Sequence, residues 1–370
     1  MKKKVGILSM QRVINYGSYL QAYALKQLLL KHGAESVEFI DIIPGKGLPG
    51  YSASGLAYYI SRFKAMMKVI LAGNAKAKKK TLDYRTRVAD MMKKAWGVLG
   101  LKDYPMAPQV DLAVIGSDEV FHCCQKTQWG YTPQLYGRIP NAKEVVSYAG
   151  SFGATKLEML KKAGVADEIG ENLKCLKSIS VRDDNSKFIV EQLTGITPLI
   201  NIDPVLAYGY KKEIDKATEV DEKNYILVYS YPDRIHDKRE VEAIRQFANQ
   251  KGKKLICVMS RYDWCDRAII PTPLELLGWF KNADYVITET FHGTIFSIIT
   301  NRQFATIGRV TAIPKLTSML RPYGLETRLV APERSIESIF MEEIDYDKVN
   351  SSLSNLQKES EQYLDKILEE

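Results

Sequence analysis

The sequence is poor in the residues from which disulfide frameworks and structural zinc sites are built. Its 370 residues include only five cysteines, an odd number, and no pair of them has the Cys-x-x-Cys spacing. We therefore expect reduced thiols, as in a cytoplasm, with neither a disulfide framework nor a bound metal. The cysteines are Cys123, Cys124, Cys175, Cys257 and Cys265.

Long hydrophobic runs are missing as well. No apolar stretch approaches the length that crosses a bilayer, and the run Val5–Met10 is too short for a secretory signal. We therefore expect a cytoplasmic protein. The first predicted strand-to-helix turn, residues 15–18, also lacks the G-x-G-x-x-G pattern of dinucleotide sites, and we predict no cofactor.

Positive charge is concentrated in one region. The chain has 52 basic and 44 acidic residues, and residues 61–105 alone hold twelve basic and three acidic ones. We expect this patch to contact an anionic membrane face, which would make the protein peripheral at the inner membrane, or a pyrophosphate-linked acceptor. A solvated helical surface explains the charge equally well. No nucleic-acid-binding motif accompanies it, so we do not expect nucleic acid as a partner.

Strand and helix patterns alternate in both halves of the chain. Apolar runs of strand length, such as Lys4–Met10 and Tyr225–Ser230, alternate with stretches of helical spacing, such as Gly17–Lys31. The alternation predicts an α/β fold with parallel sheets. The length and the apolar content of 45% are sufficient for two buried cores.

We place the domain boundary in a charged connector, residues 207–223. Residues 1–206 are predicted to form a Rossmann-like domain with a basic helical insertion at about 55–105, broken near Gly73-Asn74. Residues 224–335 are predicted to form a second such domain, followed by a helical segment, 336–370. Ligands bind beyond the carboxyl ends of parallel strands, so we expect the site in the cleft between the domains.

Two turns that follow predicted strands combine small and polar residues. Asn15-Tyr16-Gly17-Ser18 opens a helix and exposes backbone N–H groups at its positive end. Ser117 and Asp118 follow another strand, where Asp118 can hold a sugar hydroxyl or accept its proton. Ordinary helix capping also explains both turns.

Two further turns carry a cationic or titratable group. Arg182 ends a strand and can grip a carboxylate or phosphate with two parallel hydrogen bonds, unless it pairs with Asp183 or Asp184. His292 lies where the predicted strand Asp284–Thr288 gives way to an apolar helix. A histidine there can donate to a phosphate or act as an acid near neutral pH.

In order and spacing, the chain resembles the polysaccharide pyruvyl transferase family from about residue 4 to residue 328. Two positions depart from the family: Phe121-His122 replaces its usual tryptophan, and Glu289-Thr290 stands where Asp-Ser is frequent. The matching stretches are Asn15–Leu25, Val114–Val120, Ser147–Ala149, Ile179–Arg182, Asp203–Leu206, Asp284–Thr288 and Phe291–Thr294.

The resemblance implies a GT-B-like arrangement of two Rossmann-like domains, with the last helix packed back on the first. It also implies phosphoenolpyruvate as donor and, as acceptor, a sugar of a cell-surface polysaccharide or of its lipid-linked precursor. His292 matches the family's His-Gly motif, which lies at the phosphoenolpyruvate site.

The predicted reaction is the formation of a pyruvyl ketal. We expect His292 to contact the phosphate or act as general acid, and Asp118 to position a hydroxyl. Two alternatives stay open: a nucleotide-sugar-dependent glycosyltransferase, and a non-catalytic glycan-binding relative. The residues expected to bind substrate are Asn15, Tyr16, Gly17, Ser117, Arg182, Gly293, Thr294 and Arg309.

Overall fold

The computed structural model describes residues 2–51, 56, 59–61, 63–64, 75–125, 127–217, 220–331 and 334–369. Its named strands form parallel pairs only. Two sheets, one from each half of the chain, are covered by helices on both faces, and their strands are accordingly apolar. The predicted α/β class with two Rossmann-like units is confirmed.

The first sheet has the strand order β2-β1-β3-β4, and the small parallel pair β5-β6 joins β4 through isolated bridges. Its strands are β1 (Lys4–Leu8), β2 (Ser36–Ile40), β3 (Val110–Gly116), β4 (Ala142–Tyr148), β5 (Ser180–Val181) and β6 (Leu199–Ile200). The helices of this half are α1 (Tyr16–Lys31), α2 (Ala75–Leu99), α3 (Leu157–Ala163), α4 (Ala166–Lys174), α5 (Asp184–Thr194), α6 (Pro204–Tyr208) and α7 (Lys211–Lys216), with a 3₁₀ turn at Pro133–Tyr136.

The second sheet has six strands in the order β12-β11-β10-β7-β8-β9. They are β7 (Tyr225–Tyr229), β8 (Lys254–Val258), β9 (Arg267–Ile269), β10 (Tyr285–Thr288), β11 (Gln303–Ile307) and β12 (Leu329–Val330). The helices are α8 (Lys238–Lys251), α9 (Pro273–Asn282), α10 (Phe291–Ile299), α11 (Ile313–Leu320), α12 (Ile336–Met341) and α13 (Tyr346–Glu369), with 3₁₀ turns at Arg321–Tyr323 and Glu326–Arg328.

One apolar core joins the two halves. Tyr16 at the start of α1 is fully buried, and its hydroxyl donates to the carbonyl of Pro271 at 2.7 Å. Its ring also meets Tyr229 of β7 edge-on, with ring centroids 6.4 Å apart. The cluster that contains these rings runs from α1 to α9 and α10. The carboxyl ends of the two sheets are therefore held facing each other across one cleft.

The last two helices pack on different halves. Phe340 of α12 stacks on Phe247 of α8, with ring centroids 4.7 Å apart. The hydroxyl of Tyr363 in α13 donates to the carbonyl of Ser147 in β4 at 2.7 Å. Residues 336–370 were predicted to pack on the first half. The structure corrects this for Ile336–Met341, because the apolar side of this short helix is buried against the second half.

Smaller differences concern lengths and connections. The predicted first strand, Lys4–Met10, is two residues longer than the observed one, Lys4–Leu8. The strand ends there because the N–H of Ser9 donates to the side chain of Gln11 instead of to a neighbouring strand. Residues 207–223 contain the helix α7, and Lys281 of α9 donates to its Ile214 carbonyl at 2.8 Å. The predicted break at residues 73–74 lies outside the described residues, and the domain boundaries remain predictions. Among the described helices, none is both long and apolar enough to span a membrane.

Candidate functional site

The site lies where the strand order reverses in each sheet. In the first sheet the chain moves from β1 outward to β2 and then returns to β3 on the other side. In the second it moves from β7 outward to β8 and returns to β10. Such switch points leave a crevice beyond the carboxyl ends of the two central strands, where open parallel sheets bind their ligands. The two crevices merge here into one cavity.

This cavity has a volume of about 860 Å³ and a strongly cationic wall. Six basic side chains line it, against three carboxyl groups and two histidines. The basic residues are Arg12, Arg85, Arg182, Arg234, Arg309 and Lys315; the carboxyl groups belong to Asp118, Glu119 and Glu289; the histidines are His122 and His292. An excess of fixed positive charge in a concave site favours an anionic ligand.

Two strand-to-helix turns meet at the base of the cavity, and we name them the N-terminal elbow (Asn15–Ser18) and the C-terminal elbow (Glu289–Thr294). Each is capped by its own side chain: Asn15 Oδ1 accepts from the N–H of Gly17 at 2.7 Å, and Thr290 Oγ1 accepts from that of Gly293 at 2.8 Å. Helix N-termini have unpaired N–H groups, which explains why short polar side chains begin both helices.

The two elbows are in direct contact. A Cβ atom added at Gly17 would overlap Nδ1 and Cγ of the His292 ring. A larger residue in the N-terminal elbow would therefore displace the imidazole. Gly17 is needed for this close approach of the elbows, and this role differs from the anion binding that we predicted.

His292 is buried between the two halves. Its Nε2 lies 3.6 Å from Oδ2 of Asp203, an ion-pair distance that is too long for a hydrogen bond. No described residue accepts a hydrogen bond from or donates one to this nitrogen. Burial disfavours the ionised form of Asp203, but His292 and Arg182 outweigh it and keep the pKa of Asp203 below its ordinary value. Asp203 thus supplies a fixed negative charge behind the imidazole.

Arg182 is the buried cation of the site. Its Nη1 donates to Asp203 Oδ2 at 2.9 Å, and its Nη2 lies 3.5 Å from Asp118 Oδ1. The predicted alternative of a pair with Asp183 is not realised, because Asp183 caps α5 by accepting from the N–H of Ser186 at 2.8 Å. Nε of Arg182 has no hydrogen-bond partner among the described residues.

Phe291 of the C-terminal elbow lies between two cations. The guanidinium carbon of Arg182 is 4.5 Å from its ring centroid, and the ammonium nitrogen of Lys315 is 5.1 Å from it. Lys315 also pairs with Glu119 at 2.6 Å. Burial alone would raise the pKa of Glu119, but the charges of Lys315 and His122 lower it to about 2. The aromatic ring therefore helps to position both cations at the cavity wall.

Arg309 also lines the cavity. It binds Glu240 through both terminal nitrogens, at 2.6 and 3.0 Å, and donates to the carbonyl of Arg234 at 2.7 Å. The guanidinium of Arg234, which is exposed, pairs with no carboxylate among the described residues. Arg234 is therefore the cation of this pair that is more readily available to a ligand.

Five of the ten predicted site residues line the cavity: Asn15, Asp118, Arg182, His292 and Arg309. Their roles stay predictions. The other five predicted residues do not line it. Tyr16 and Ser117 are fully buried, and the N–H groups of Gly293 and Thr294 both donate to the cap Thr290. The helix end at residues 293–294 therefore offers no free amide to an anion, which corrects the prediction for these two residues. Gly17, the fifth, packs against His292.

Several site residues were missed by the sequence analysis. Asp203, Lys315 and Arg234 are separated in sequence from the turns that were singled out, whereas Glu119 directly follows Asp118. The available signal was the match to the family, because Glu119 lies in the stretch Val114–Val120 and Asp203 in the stretch Asp203–Leu206. Among the described residues, no group of three or more histidine, cysteine, aspartate or glutamate side chains could hold a metal ion.

A comparison with protein-family models identifies the family. A model described as polysaccharide pyruvyl transferase matches residues 15–309, which include both elbows and all the strands from which the site is built except β1. The chain belongs to this family. The protein is accordingly a pyruvyltransferase, and the site described above is the candidate active site of this polysaccharide pyruvyl transferase. No curated protein matches the sequence.

Solved structures of similar overall architecture have little sequence in common with the pyruvyl transferase. An S. aureus MnaA–UDP complex matches with a TM-score of 0.47 and 12% identity, over 96% of this chain and 91% of that one. A putative UDP-N-acetylglucosamine 2-epimerase from Listeria monocytogenes gives 0.47 and 10%, over 97% and 91%. Spinosyn forosaminyltransferase SpnP gives 0.45 and 9%, over 100% of both chains.

Proposed function

We propose that the protein transfers a pyruvyl group from phosphoenolpyruvate to two hydroxyl groups of one sugar, forming a ketal. The sugar belongs to a cell-surface polysaccharide or to its lipid-linked precursor. The observation that carries the proposal is the cavity wall, where six basic side chains, including buried Arg182, surround one space in a member of this family. Phosphoenolpyruvate, with a carboxylate and a phosphate, matches this charge.

The basic residues form two sets that suit the two anionic groups of the donor. Arg182 and Lys315 both contact the ring of Phe291, and Arg309 donates a hydrogen bond to the carbonyl of Arg234. We assign one anionic group of phosphoenolpyruvate to each set. Fixed cations on both sides would hold the central carbon between them, close to the elbow that carries His292.

Asp118 is the proposed residue that positions the sugar. Its backbone has φ +70°, a conformation that non-glycine residues rarely adopt, and Ser18 Oγ donates to its carboxylate at 2.7 Å. Strained backbone at a cavity wall is frequent in binding sites. With Arg182 beside it, this carboxylate can accept a hydrogen bond from a sugar hydroxyl. His292, backed by Asp203, is proposed to exchange a proton with the reacting oxygen atoms.

The donor assignment can be tested by ligand-dependent thermal unfolding. Phosphoenolpyruvate should raise the melting temperature in a saturable manner, because it binds only the folded protein. UDP-N-acetylglucosamine and UDP should have no such effect. Stabilisation by the nucleotides but not by phosphoenolpyruvate would overturn the proposal in favour of a glycosyltransferase.

Turnover is tested by phosphate release from phosphoenolpyruvate with a panel of p-nitrophenyl hexosides as acceptors. We expect release with a hexoside, and a pyruvyl ketal on the sugar by mass spectrometry. His292→Asn should lower the rate about 10²- to 10⁴-fold, the range for a lost acid–base group. The matched control is His236→Asn, a histidine exposed outside the cavity. An equally active His292→Asn variant would contradict its role.

We also propose that the basic region meets an anionic membrane face. The net charge of residues 61–105 supports this, and so do exposed apolar residues within it (Phe63) and directly before it in sequence (Leu56, Tyr59 and Ile60). Basic and apolar groups on one surface are typical of membrane-surface helices. Cosedimentation with phosphatidylglycerol vesicles should exceed that with phosphatidylcholine vesicles and fall with salt. Equal binding to both lipids would contradict the proposal.

A further inference from the structure

Ketal formation from phosphoenolpyruvate needs a proton donor for carbon. The methylene carbon C3 must gain a proton while a sugar oxygen bonds to C2. A general acid for this step has to carry its proton at the working pH and reach the cavity from a defined position. Of the carboxyl groups that line the cavity, Asp118 and Glu119 each lie within ion-pair distance of a cation, Arg182 and Lys315 respectively. Despite burial, Lys315 and His122 lower the pKa of Glu119 to about 2, which makes it a poor acid. The carboxylate of Asp118 already accepts from Ser18 Oγ at 2.7 Å.

Glu289 differs from these two carboxyl groups. It lines the cavity at the first position of the C-terminal elbow, directly after β10. Only 5% of its surface is exposed. Its Oε1 accepts from the N–H of Tyr231 at 2.8 Å. No described basic side chain lies within ion-pair distance of it, and none donates a hydrogen bond to its Oε2. The carboxyl group is therefore held in place by one neutral donor.

The charged and titratable groups around Glu289 come from several elements. After β7 come Tyr231 and Arg234, after β11 comes Arg309, and α8 contributes Glu240, which occupies Arg309 through both oxygens. Tyr262, after β8, and Tyr229 of β7 are the remaining titratable neighbours. Burial is the dominant influence and raises the pKa of Glu289 to about 7, against the lowering effects of Tyr231, Arg234 and Arg309. Glu289 thus keeps its proton through weakly acidic conditions and up to neutral pH.

We propose, on the basis of the function proposed above, that Glu289 is the general acid that protonates C3 of phosphoenolpyruvate. The π electrons of the C2–C3 double bond form the new C–H bond, and C3 becomes the methyl group of the ketal. The oxygen atoms of two sugar hydroxyls bond in turn to C2, and the bond from C2 to the phosphate oxygen breaks. One hydroxyl proton restores the Glu289 carboxyl group, and the other leaves with the phosphate.

His292 is less suited to this step. Its Nε2 faces Asp203 Oδ2 and its ring packs against Gly17, which leaves Nδ1 as the nitrogen that can exchange a proton with substrate. An imidazole that is backed by a carboxylate is suited to accept a proton from a hydroxyl group. The elbow thus carries an acid, Glu289, and a base, His292, three positions apart in sequence, on opposite sides of the cap Thr290.

The test compares Glu289→Gln, Glu289→Asp and the control Glu242→Gln in steady-state phosphate release, with the most active p-nitrophenyl hexoside. Glu242 lies exposed on α8, outside the cavity. We expect Glu289→Gln to lower kcat about 10²- to 10⁴-fold, with the KM for phosphoenolpyruvate nearly unchanged, because it removes a proton and no anion contact. Its stabilisation by phosphoenolpyruvate should persist. Glu289→Asp should restore part of kcat.

The pH profile separates a catalytic role from a structural one. For the unaltered enzyme, kcat should fall above about pH 7 as the donor ionises. This alkaline fall should persist in Glu289→Asp and disappear in the residual activity of Glu289→Gln. A Glu289→Gln variant that retains the alkaline fall, or loses less than about tenfold in kcat, overturns the inference. If the unaltered enzyme releases no phosphate with any hexoside, the proposed function fails first, and this inference fails with it.

Discussion

The two elbows at the base of the cavity have the same local design and different surroundings. Each follows a central strand, each has a short polar cap, and each has a glycine in the first turn of its helix. In the C-terminal elbow, a Cβ at Gly293 would meet Thr288 Oγ1 first, and then Thr290 Oγ1 and Tyr229 Cδ1, each at 2.7 Å, all of them in its own half of the chain. In the N-terminal elbow, a Cβ at Gly17 would meet His292 of the other one.

This difference shows that a glycine is needed for contacts within one half of the chain in one turn, and for a contact between the two halves in the other. Gly293 makes room for Thr288, for the cap Thr290 and for Tyr229 of β7. Gly17 makes room for an imidazole from the other half of the chain. The C-terminal elbow also carries Glu289 and His292, the two groups to which we assign proton transfer, whereas the N-terminal elbow packs against the His292 ring.

The largest effect should come from removing the cation that supports the C-terminal elbow. Arg182→Met would leave Asp203, which is fully buried, without its partner, and remove the cation stacked on Phe291. Breaking a buried pair on one side costs about 3–5 kcal/mol. We expect that loss in the free energy of urea unfolding. Arg245→Met, at an exposed position on α8, should change it by less than about 0.5 kcal/mol.

A destabilisation of Arg182→Met below about 1 kcal/mol would show that the pair with Asp203 is not isolated from water. The elbow would then be held by apolar packing alone. The double variant Arg182→Met/Asp203→Asn sharpens the result, because removing both charges should recover part of the stability that the single variant loses.

The second effect is a pH dependence of the free energy of unfolding. It should arise from the C-terminal elbow, because this elbow contains the buried carboxyl group of Glu289. Between pH 4.5 and about 7 the folded protein keeps the Glu289 proton, whereas the unfolded chain has lost it. The folded state binds more protons in this window, so its stability falls as pH rises. A shift from 4.5 to about 7 corresponds to about 3 kcal/mol.

Glu289→Gln removes this ionisation. Relative to the unaltered protein, the variant should therefore gain about 3 kcal/mol of stability between about pH 4 and about pH 8. Urea unfolding at both pH values measures the gain, with Glu242→Gln as the control. A difference between variant and parent that stays constant with pH would mean that Glu289 is solvated and ionises normally.

The third effect tests the contact between the elbows. Gly17→Ala places a methyl group in the space of the His292 ring and should cost about 1–3 kcal/mol, as for overpacked cores. It should also lower kcat, since the imidazole has to move. Gly97→Ala in α2 is the matched control: its Cβ meets nothing within 4 Å, and we expect a gain of about 0.5–1 kcal/mol.

Imidazole resonances in NMR spectra report this contact directly, since the chain has four histidines. Gly17→Ala should shift the resonance of His292 and leave that of His236 in place. Gly293→Ala should be destabilising too, but through Thr290 and Tyr229 within its own half. Equal shifts of His292 in both variants would remove the distinction drawn between the elbows.

The smallest effect concerns the two caps. Thr290→Ala and Asn15→Ala should each cost about 1 kcal/mol, the usual loss for a helix cap. Asn15 also donates to the hydroxyl of Tyr231 across the cavity at 3.0 Å. Asn15→Asp keeps the cap acceptor and loses only that donor. Its stability, measured by urea unfolding, should therefore lie between those of Asn15→Ala and the unaltered protein.

The sequence predicted the fold class well, because strands and helices arise from local periodicity and local caps. It also placed Asp118, Arg182 and His292 at the ends of strands, where parallel sheets bind ligands. Asp203 was recognised only as part of a stretch that matches the family. Its contact with His292 joins residues far apart in the chain, and no spacing rule reports such a contact.

The sequence by itself determined the alternation of strands and helices, which turns carry polar and titratable residues, and the family to which the chain belongs. The tertiary structure alone decided which of these residues reach the cavity. Gly293 and Thr294 lost their predicted role because their amides donate to Thr290. Glu289 was assigned a role only with the structure, because burial raises its pKa. Burial depends on surrounding residues that come from distant parts of the chain.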